Sequence, residues 1–465
     1  MSGIIWGGIS PHPPIIIAAI GRDELPRVAN TVSAMHALAR SLAEAAPDVL
    51  VVITPHGPAF ADAVSVWTVE EMAGSFAAFG AADLCYTINI DFSLVAAIAA
   101  AATGLPVLRL DQETAAQYGF LPQLDHGLLV PLHFLKAAGI EVPIVPVNIG
   151  FLPPDNLYRF GKAIQTAADR TGKRVAVLAS SDLSHRLTPG APAGYHPSGA
   201  VFDREIARLL AAGDVSGILD LPEGLREEAG ECGYRPLVML LGALDGWEIK
   251  PEVLSYEGPF GVGYLVGTFT PVRADSAREF LTRRGRAAEL QRVRREKESI
   301  FVQLARASLE AFVRRGEIIR PPAPLPVMLA EQAGVFVSLQ KNGQLRGCIG
   351  TIGPTRDSIA AEIIENAISA GTRDPRFDPV TPDELAELVY SVDILREPEA
   401  IDHISQLDPA HYGVIVRRGQ RCGLLLPNLE GVDTAEAQIA IAKQKAGIGP
   451  GEAADIERFE VIRYH

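Results

Sequence analysis

The sequence predicts an α/β domain with a mostly parallel central sheet flanked by helices, followed by a separate α+β domain. The first 270 residues alternate short apolar runs with segments of helical periodicity, and a break follows Thr270-Pro271. The pattern changes again from about residue 298. A chain of 465 residues also exceeds the roughly 100–200 residues of a typical domain, so two domains are expected.

Strands in the N-terminal part are predicted from apolar, β-branched runs, which are typical of strands covered on both faces. The predicted strands are 3–9, 48–54, 85–90, 143–149, 174–180 and 263–269. Between the first two, Val28, Val32, Met35, Ala39 and Leu42 recur at helical spacing. Such alternation of strands and helices favours a largely parallel sheet with helices on both sides.

The segment 273–297 contains eight arginines and one lysine but few large apolar side chains. Charge runs usually face water, so a solvated linker helix is the first interpretation. The alternative is a docking surface for an acidic partner. The predicted organisation is therefore an N-terminal domain at 1–272, an arginine-rich linker at 273–297 and a C-terminal domain at 298–465.

The C-terminal domain is predicted to begin with an amphipathic helix, in which Phe301, Leu309 and Phe312 lie on one face. A hairpin follows and turns at Asn342-Gly343, a pair that suits the positive φ angles of a type I′ turn. A helix near 356–370, a strand near 388–395, a second hairpin around 418–420 and a final strand near 456–463 complete this α+β domain.

Composition excludes several classes of protein. The net charge of −14 argues against nucleic acid as the main partner, because phosphate binding needs a basic surface. The four cysteines form no CxxC pair, which argues against a disulfide framework and favours a reducing compartment. No basic leader precedes the first strand, and no apolar stretch reaches the roughly 18–20 residues that cross a bilayer. We therefore expect a soluble, cytoplasmic protein that is neither exported nor membrane-spanning.

Three histidines directly follow predicted strands. They are His12 in a Ser-Pro-His-Pro-Pro run, His56 in Thr-Pro-His-Gly, and His185 in Ser-Asp-Leu-Ser-His. In open α/β sheets, ligands bind beyond the carboxyl ends of the strands, so these imidazoles are expected to converge. A proline before each of His12 and His56 restricts the backbone at those positions.

These residue types favour a divalent-metal site. Imidazole is the commonest protein ligand for such metals, and two histidines with one carboxylate leave positions open for substrate and O₂. A candidate carboxylate lies in the glutamate-rich stretch 227–233, and His126 is a fourth candidate histidine. Asp182 is either an orienting residue for His185 or a turn former. The other histidines are interpreted as surface or hydrogen-bonded core residues: His36, His133, His196, His403, His411 and His465.

As a set, these motifs resemble the class III extradiol ring-cleaving dioxygenases of the B-subunit type and their relatives, the Memo proteins. The resemblance covers roughly residues 1–270 and rests on the segments 9–14, 54–57, 124–127, 181–185 and 231–233. It implies Fe(II) as the cofactor, with Zn, Cu or Mn as other divalent candidates. It also implies a small-molecule substrate, either aromatic or of another kind.

The resemblance also implies residue roles. His12 and His56 match the metal ligands, His185 matches the acid–base catalyst, and His126 matches a second-sphere or substrate-binding histidine. For the third ligand, Glu231 and Cys232 compete, because Memo proteins place a cysteine near this position. Glu231 is preferred, since a carboxylate completes the iron facial triad.

The C-terminal part resembles the AMMECR1 family over roughly residues 295–465. The resemblance rests on Leu345–Thr351, on Asp374–Phe377 and on Pro382, Glu384 and Leu385. It implies a fold more than an activity. Considered as residues alone, Arg346, Cys348 and Arg376 form a constellation suited to binding an anion or to covalent chemistry. The alternative is that Cys348 is a small hydrophobe buried in a strand.

The sequence is therefore compatible with two functions. The first is a non-haem iron dioxygenase-like enzyme that acts on a phenolic or other small substrate, with His185 transferring a proton. The second is a metal-binding accessory protein that lacks ring-cleavage activity and works with a radical-SAM partner, since the two families occur together with such a protein in the AmmeMemoRadiSam set. The predicted metal ligands favour the enzyme, and the fusion of the two domains favours the accessory protein. A second copy of the chain is a further candidate partner, in a homo-oligomer.

Overall fold

A computed structural model describes residues 3–341, 343–382, 384–429 and 431–465, without the side chains of residues 287, 288, 290 and 291. The chain divides into two compact units, Met1–Gly285 and Arg286–His465. Among the described residues, no helix is both long and apolar enough to span a bilayer. Asn342, the first residue of the predicted Asn-Gly turn, lies outside the described residues.

The N-terminal unit is built on a twisted eight-stranded sheet and one separate hairpin. Its strands are β1 (Gly3–Ser10), β2 (Val49–Thr54), β3 (Val64–Trp67), β4 (Glu71–Phe76), β5 (Ala81–Asn89), β6 (Val107–Leu110), β7 (Ile144–Asn148), β8 (Arg174–Ser180), β9 (Trp247–Glu257) and β10 (Tyr264–Ala274). The sheet order is β6-β3-β7-β2-β8-β1-β10-β9. The central strands β7, β2, β8 and β1 are parallel, whereas β3 pairs antiparallel with β7 and β10 pairs antiparallel with β1.

Helices cover this sheet. They are α1 (Ala18–Gly21), α2 (Ala29–Ala45), α3 (Phe92–Ala101), α4 (Gln112–Gln117), α5 (His126–Ala137), α6 (Pro154–Thr171), α7 (Pro197–Ala212), α8 (Val215–Leu219), α9 (Glu223–Ala229) and α10 (Tyr234–Ala243). Every residue of β2 and β7 is buried, which explains their uninterrupted apolar sequences. A mixed sheet with a parallel centre and flanking helices confirms the predicted fold class.

One predicted strand belongs elsewhere. The sequence predicts 85–90 as a strand of the central sheet, but this run forms most of β5, which pairs with β4 in a two-stranded antiparallel hairpin. The reason is visible in its burial, because most side chains of β5 are partly or fully exposed. A strand buried on both faces requires continuous apolar sequence, and Asp83, Tyr86 and Thr87 do not supply it.

The arginine-rich segment is largely helical. The strand predicted at 263–269 continues to Ala274, and helix α11 (Phe280–Glu296) contains the boundary between the two units. Phe280 is buried, and its backbone N–H donates to Asp245 over 2.8 Å. Arg292 forms ion pairs with Glu289 and Glu296 on the same helix. The first turn of α11 is thus packed, while Arg292 is charge-compensated within the helix.

The C-terminal unit is an antiparallel sheet with helices packed against it. Its helices are α12 (Ile300–Arg315), α13 (Val327–Ala330), α14 (Ile359–Thr372) and α15 (Ala435–Lys445). Its strands are β11 (Val335–Lys341), β12 (Gln344–Gly350), β13 (Val389–Leu395), β14 (Glu399–Ala400), β15 (Tyr412–Arg418), β16 (Arg421–Leu425) and β17 (Asp455–Tyr464). The sheet order is β12-β11-β13-β17-β15-β16, and β14 pairs with β17. This separate α+β unit also agrees with the predicted fold class.

Candidate metal centre

The candidate site lies beyond the carboxyl ends of three adjacent strands. In the sheet, β8 lies between β2 and β1, and their chains run in the same direction. His12 follows β1 by two residues, His56 follows β2 by two residues, and Asp182 follows β8 by two residues. The parallel arrangement therefore brings residues that are far apart in sequence to one edge of the sheet.

Three donor atoms converge at this edge. The Nε2 atoms of His12 and His56 are 2.8 Å apart, and Cys232 Sγ lies 3.5 Å from His12 Nε2. The three donors all lie within 4.8 Å of one another. Atoms bound to one ion at about 2.0–2.3 Å are roughly 3–3.7 Å apart, so the spacing and the donor types fit a divalent transition metal.

Hydrogen bonding fixes the orientation of His12. Ser180 Oγ donates its only proton to the carbonyl of Gly127 over 2.6 Å and lies 2.9 Å from His12 Nδ1. Ser180 must therefore accept a hydrogen bond from Nδ1–H, which leaves the lone pair of neutral His12 on Nε2. Gly127 also permits the close approach of helix α5 to strand β2, because a Cβ there would lie 2.5 Å from Thr54 Oγ1.

The imidazoles at the site are uncharged. Burial lowers the pKa of His12 well below its ordinary value, and the neighbouring His126 and His185 lower it further. The pKa of His56 falls to about 3, through partial burial and then the proximity of the other rings, although its outer face is exposed. Neutral imidazoles are the form that binds metal, so no proton has to leave these two ligands at neutral pH.

Cys232 is a protonated thiol in this arrangement. Burial raises its pKa well above the ordinary range, and the nearby carboxylates of Asp182 and Glu231 raise it further. Its Sγ lies 3.7 Å from the backbone carbonyl of Asp182, which accepts the S–H. Because metals bind the thiolate, a bound metal must displace this proton.

Binding of Zn²⁺ should therefore release about one proton, and the apparent affinity should rise about tenfold per pH unit between about pH 7 and pH 8.5. The sign follows from competition, since protons and metal compete for Cys232 Sγ while His12 and His56 are already neutral. Calorimetric titration in two buffers of different ionisation enthalpy measures the proton count. A count near zero would show that the thiol does not become a ligand.

Glu231 does not join the converging donors. Its carboxylate accepts a hydrogen bond of 2.6 Å from the backbone N–H of Tyr234, at the start of α10. Carboxylates are stabilised at helix N-termini, where backbone N–H groups are free. The group of potential metal donors contains Cys232 and not Glu231. Of the two candidates for the third ligand, the structure thus places Cys232 beside the histidine nitrogens, and the preference for Glu231 stays a prediction for metal-binding experiments.

His126 and His185 surround the three donors. The ring of His126 stacks on that of His56, with centroids 4.1 Å apart, and His185 Nε2 lies 3.7 Å from Cys232 Sγ. Burial lowers the pKa of both rings, while the charge of Asp182 opposes that effect. Each ring is thus a neutral group able to accept a proton beside the donor cluster.

Asp182 holds the backbone of the first ligand loop. Its Oδ1 accepts the backbone N–H of His12 over 2.9 Å, and its Oδ2 lies 3.6 Å from His12 Nε2. Burial raises its pKa to about 6, although the His12 N–H and the nearby His185 lower it. This hydrogen bond supports an orienting role for Asp182, and it shows that the residue positions His12 as well as lying near His185.

Comparison with known proteins identifies the chain. The model of the family described as the catalytic LigB subunit of aromatic ring-opening dioxygenase matches residues 8–267. The chain belongs to the LigB family. The AMMECR1 family matches residues 302–465, so this LigB domain is joined to an AMMECR1 domain.

One relative matches nearly the whole chain, and others match one part of it. A protein of Clostridium acetobutylicum is 41% identical over 458 residues, which cover 98% of this chain and 97% of that protein. A Thermotoga maritima protein is 53% identical over 167 residues, which cover 35% of this chain and 96% of the relative. Among solved structures, the match to an uncharacterized protein of Pyrococcus horikoshii covers 36% of this chain and 90% of that protein, with 33% sequence identity and a TM-score of 0.34. The match to an uncharacterized protein of Escherichia coli K12 covers 57% of this chain and 99% of that protein, with 18% sequence identity and a TM-score of 0.41.

Two residues of the LigB domain, Asp125 and Thr54, support the site in a way that the sequence does not predict. Asp125 caps helix α5 by accepting the N–H of Leu128, and it also accepts Thr54 Oγ1–H over 2.8 Å. Thr54 Oγ1 in turn accepts the backbone N–H of His56 over 3.2 Å. The Asp before an apolar helical run is a recognisable capping signal, but its link to β2 depends on tertiary structure.

Asp125→Ala should lower the free energy of unfolding of the LigB domain by about 0.5–2 kcal/mol, because helix α5 loses its cap. Asp125→Ser keeps an oxygen at the cap position and should recover much of this loss. Fluorescence during chemical denaturation measures the change for this domain alone, since all three tryptophans lie within residues 6–247. Equal stability of the alanine variant and the parent would contradict the capping role.

In the AMMECR1 domain, the predicted constellation is only partly assembled. Arg376 binds Asp374 through two nitrogens, at 2.9 and 2.7 Å, and Asp374 Oδ2 accepts the backbone N–H of Cys348. Arg346 instead forms a bidentate pair with Glu384, at 3.0 and 2.9 Å. The structure thus joins Cys348 to Arg376 through Asp374, whereas Arg346 pairs with Glu384, and the chemical role of the three residues stays a prediction.

Proposed function

We propose that the LigB domain is a metal-dependent oxidoreductase that holds Fe(II) through His12, His56 and Cys232 and acts on a small phenolic substrate with O₂. The observation that carries this proposal is the convergence of three donor atoms within 4.8 Å of one another. The family description, an aromatic ring-opening dioxygenase, supports the substrate class and the use of O₂. Two nitrogens and a sulfur suit Fe, Zn and Cu better than Mn, which prefers oxygen ligands.

Fe(II) held by three protein atoms would supply open positions for a substrate hydroxyl and for O₂ and would conduct electrons from the phenolic substrate, which is oxidised, to O₂. The surrounding residues supply proton transfer. His185 is neutral, and its Nε2 faces the cluster beside Cys232 Sγ, so it can accept the proton of a phenolic hydroxyl. The charge of Asp182 then stabilises the imidazolium, since it favours the protonated form of His185.

The LigB domain also offers aromatic surface beside the cluster. The ring of Phe79, which follows strand β4, lies 5.9 Å from that of His126 and is partly exposed. Edge-to-face and stacked contacts with such rings favour a flat aromatic substrate. His126 and Phe79 would orient the substrate ring, while His12 remains buried beneath it.

Anaerobic loading with Fe(II), followed by O₂-electrode measurements with a panel of catechols and monophenols, tests this proposal. We expect O₂ uptake that requires both iron and a phenol and that disappears in His12→Ala. His36→Ala is a matched control, because His36 contacts Phe134 and belongs to no donor group among the described residues. Stoichiometric iron without O₂ uptake from any phenol would refute the enzyme activity.

That negative result would favour a second candidate, a metal-binding accessory protein of the cytoplasm that works with a radical-SAM partner. The specific observation in its favour is Cys232, which replaces the carboxylate of the facial triad with a thiol. A reducing compartment would keep this thiol available for metal. Co-purification of the metal-loaded chain with a radical-SAM protein, lost in Cys232→Ser, would support this candidate.

A further inference from the structure

A groove of about 700 Å³ lies within the AMMECR1 domain and has no part in the metal site. It is lined by residues of β11, β12, β13, β16 and β17 and by the last residue of α15. One wall is apolar and includes Phe336, Ile352, Leu424 and Leu426, which belong to one hydrophobic cluster. A groove of this size accommodates a small organic molecule.

Two arginines at the groove keep unused hydrogen-bond donors. Arg376 engages Asp374 through Nε and Nη2, and Arg463 engages Asp393 through the same two nitrogens, at 2.7 and 2.8 Å. Among the described residues, nothing accepts a hydrogen bond from Nη1 of either arginine. Each guanidinium is therefore held in place by a carboxylate and still has N–H groups for a ligand.

Lys445 is a third cation at the groove. Its Nζ donates to the backbone carbonyl of Leu424 over 3.4 Å, and it has no carboxylate partner within the described ranges 3–341, 343–382, 384–429 and 431–465. Partial burial lowers the pKa of Lys445, the neighbouring Cys348 opposes this effect, and the positive charge of Arg376 adds to it. Lys443 occupies the same last turn of α15 and bonds to the carbonyls of Pro450 and Glu452 instead.

Cys348 lines the groove as a neutral thiol. Its Sγ accepts a hydrogen bond from Ser338 Oγ over 3.1 Å. Burial raises the pKa of the thiol, which leaves little of the nucleophilic thiolate at neutral pH. Of the two chemistries suggested for this constellation, the structure therefore favours anion binding over covalent attack.

We propose that this groove binds a small organic anion, a carboxylate on an apolar body. Its carboxylate would face Arg376, Lys445 and Arg463, and its body would lie against the apolar wall formed by Phe336, Ile352, Leu424 and Leu426. Charge complementarity selects the head group, because these three cations have donor capacity that the described residues leave free. Removal of apolar surface from water favours the body over a bare anion.

Protection of Cys348 from alkylation tests the proposal on the full-length protein. The probe is 1-naphthoate, and the readout is the rate at which iodoacetamide modifies Cys348 over a long incubation, since its thiol reacts slowly at neutral pH, measured by mass spectrometry. We expect 1-naphthoate to slow this rate, whereas neutral 1-naphthamide and inorganic phosphate at the same concentration should not. Cys85 is exposed in the other unit and serves as an internal reference whose rate stays constant.

Two lysine variants provide matched controls on one helix. Lys445→Gln should raise the concentration of 1-naphthoate needed for half-protection by about tenfold or more, the effect of one lost charge-assisted hydrogen bond. Lys443→Gln should leave that concentration unchanged within about twofold. Equal protection by 1-naphthamide, protection by phosphate alone, or equal behaviour of the two variants with both folded would each overturn the proposal. So would the absence of protection by 1-naphthoate in the parent.

Discussion

Cys232→Ser should lower the affinity of the LigB domain for Fe(II) or Zn²⁺ by more than about 100-fold, because loss of a ligand exceeds the 10–100-fold effect of removing a supporting partner. The hydroxyl of serine is a poor substitute for a thiolate at neutral pH. His12→Ala and His56→Ala should have effects of the same order. Metal content after anaerobic purification, together with titration of the apoprotein, measures these changes.

Glu231→Gln provides the decisive comparison for this prediction. Its side chain can still accept the N–H of Tyr234 through its amide oxygen, so helix α10 keeps its hydrogen bond and metal binding should change little. Cys85→Ser controls for the loss of a thiol far along the chain, in β5. A larger loss of metal in Glu231→Gln than in Cys232→Ser would restore the carboxylate as third ligand.

His185→Gln should keep the metal but lower turnover by roughly 10²–10⁴-fold, the usual effect of removing a general acid–base group. Glutamine preserves a polar side chain of comparable length but cannot take up a proton at neutral pH. Iron content and the rate of O₂ uptake with the best phenol of the panel, measured on the same preparation, separate the two effects.

The pH profile distinguishes proton transfer by His185 from a merely structural role. The parent should show an acidic limb, because protonation of His185 removes the base, and His185→Gln should lack that limb. His196→Gln is a suitable control, since His196 accepts the N–H of Ser198 at the start of α7. Loss of metal from His185→Gln would instead make His185 a ligand.

Much of the fold is predictable from the sequence because its central strands are apolar throughout. The runs at 48–54, 143–149 and 174–180 correspond to β2, β7 and β8, with ends that differ by a residue or two. The short strand β3 carries too few residues for a clear pattern, and β5 has an exposed sequence that periodicity alone cannot assign to a hairpin. Their positions depend on tertiary contacts.

The candidate site is also predictable in part, namely for its two histidine ligands. Because parallel strands end at one edge, sequence reasoning could place His12 and His56 together. It could not choose between Glu231 and Cys232, since adjacent residues in a turn point in different directions and only the backbone path decides which faces the histidines. The hydrogen bond from His12 to Ser180 is likewise a consequence of strand order, because β1 and β8 are distant in sequence but adjacent in the sheet.

The clustering of four uncharged imidazoles has a consequence for the acid tolerance of the LigB domain. The pKa values of His12, His56, His126 and His185 are all lowered in the folded chain, whereas an unfolded chain binds these protons near pH 6.5. At these four groups the unfolded state therefore takes up more protons, and their contribution to the free energy of unfolding falls as the pH drops below about 6.5. A metal held by His12 and His56 opposes this loss, since it binds the folded state and competes with protons for the same nitrogens. The stability of the LigB domain in mild acid should therefore depend on whether the histidine cluster holds a metal ion.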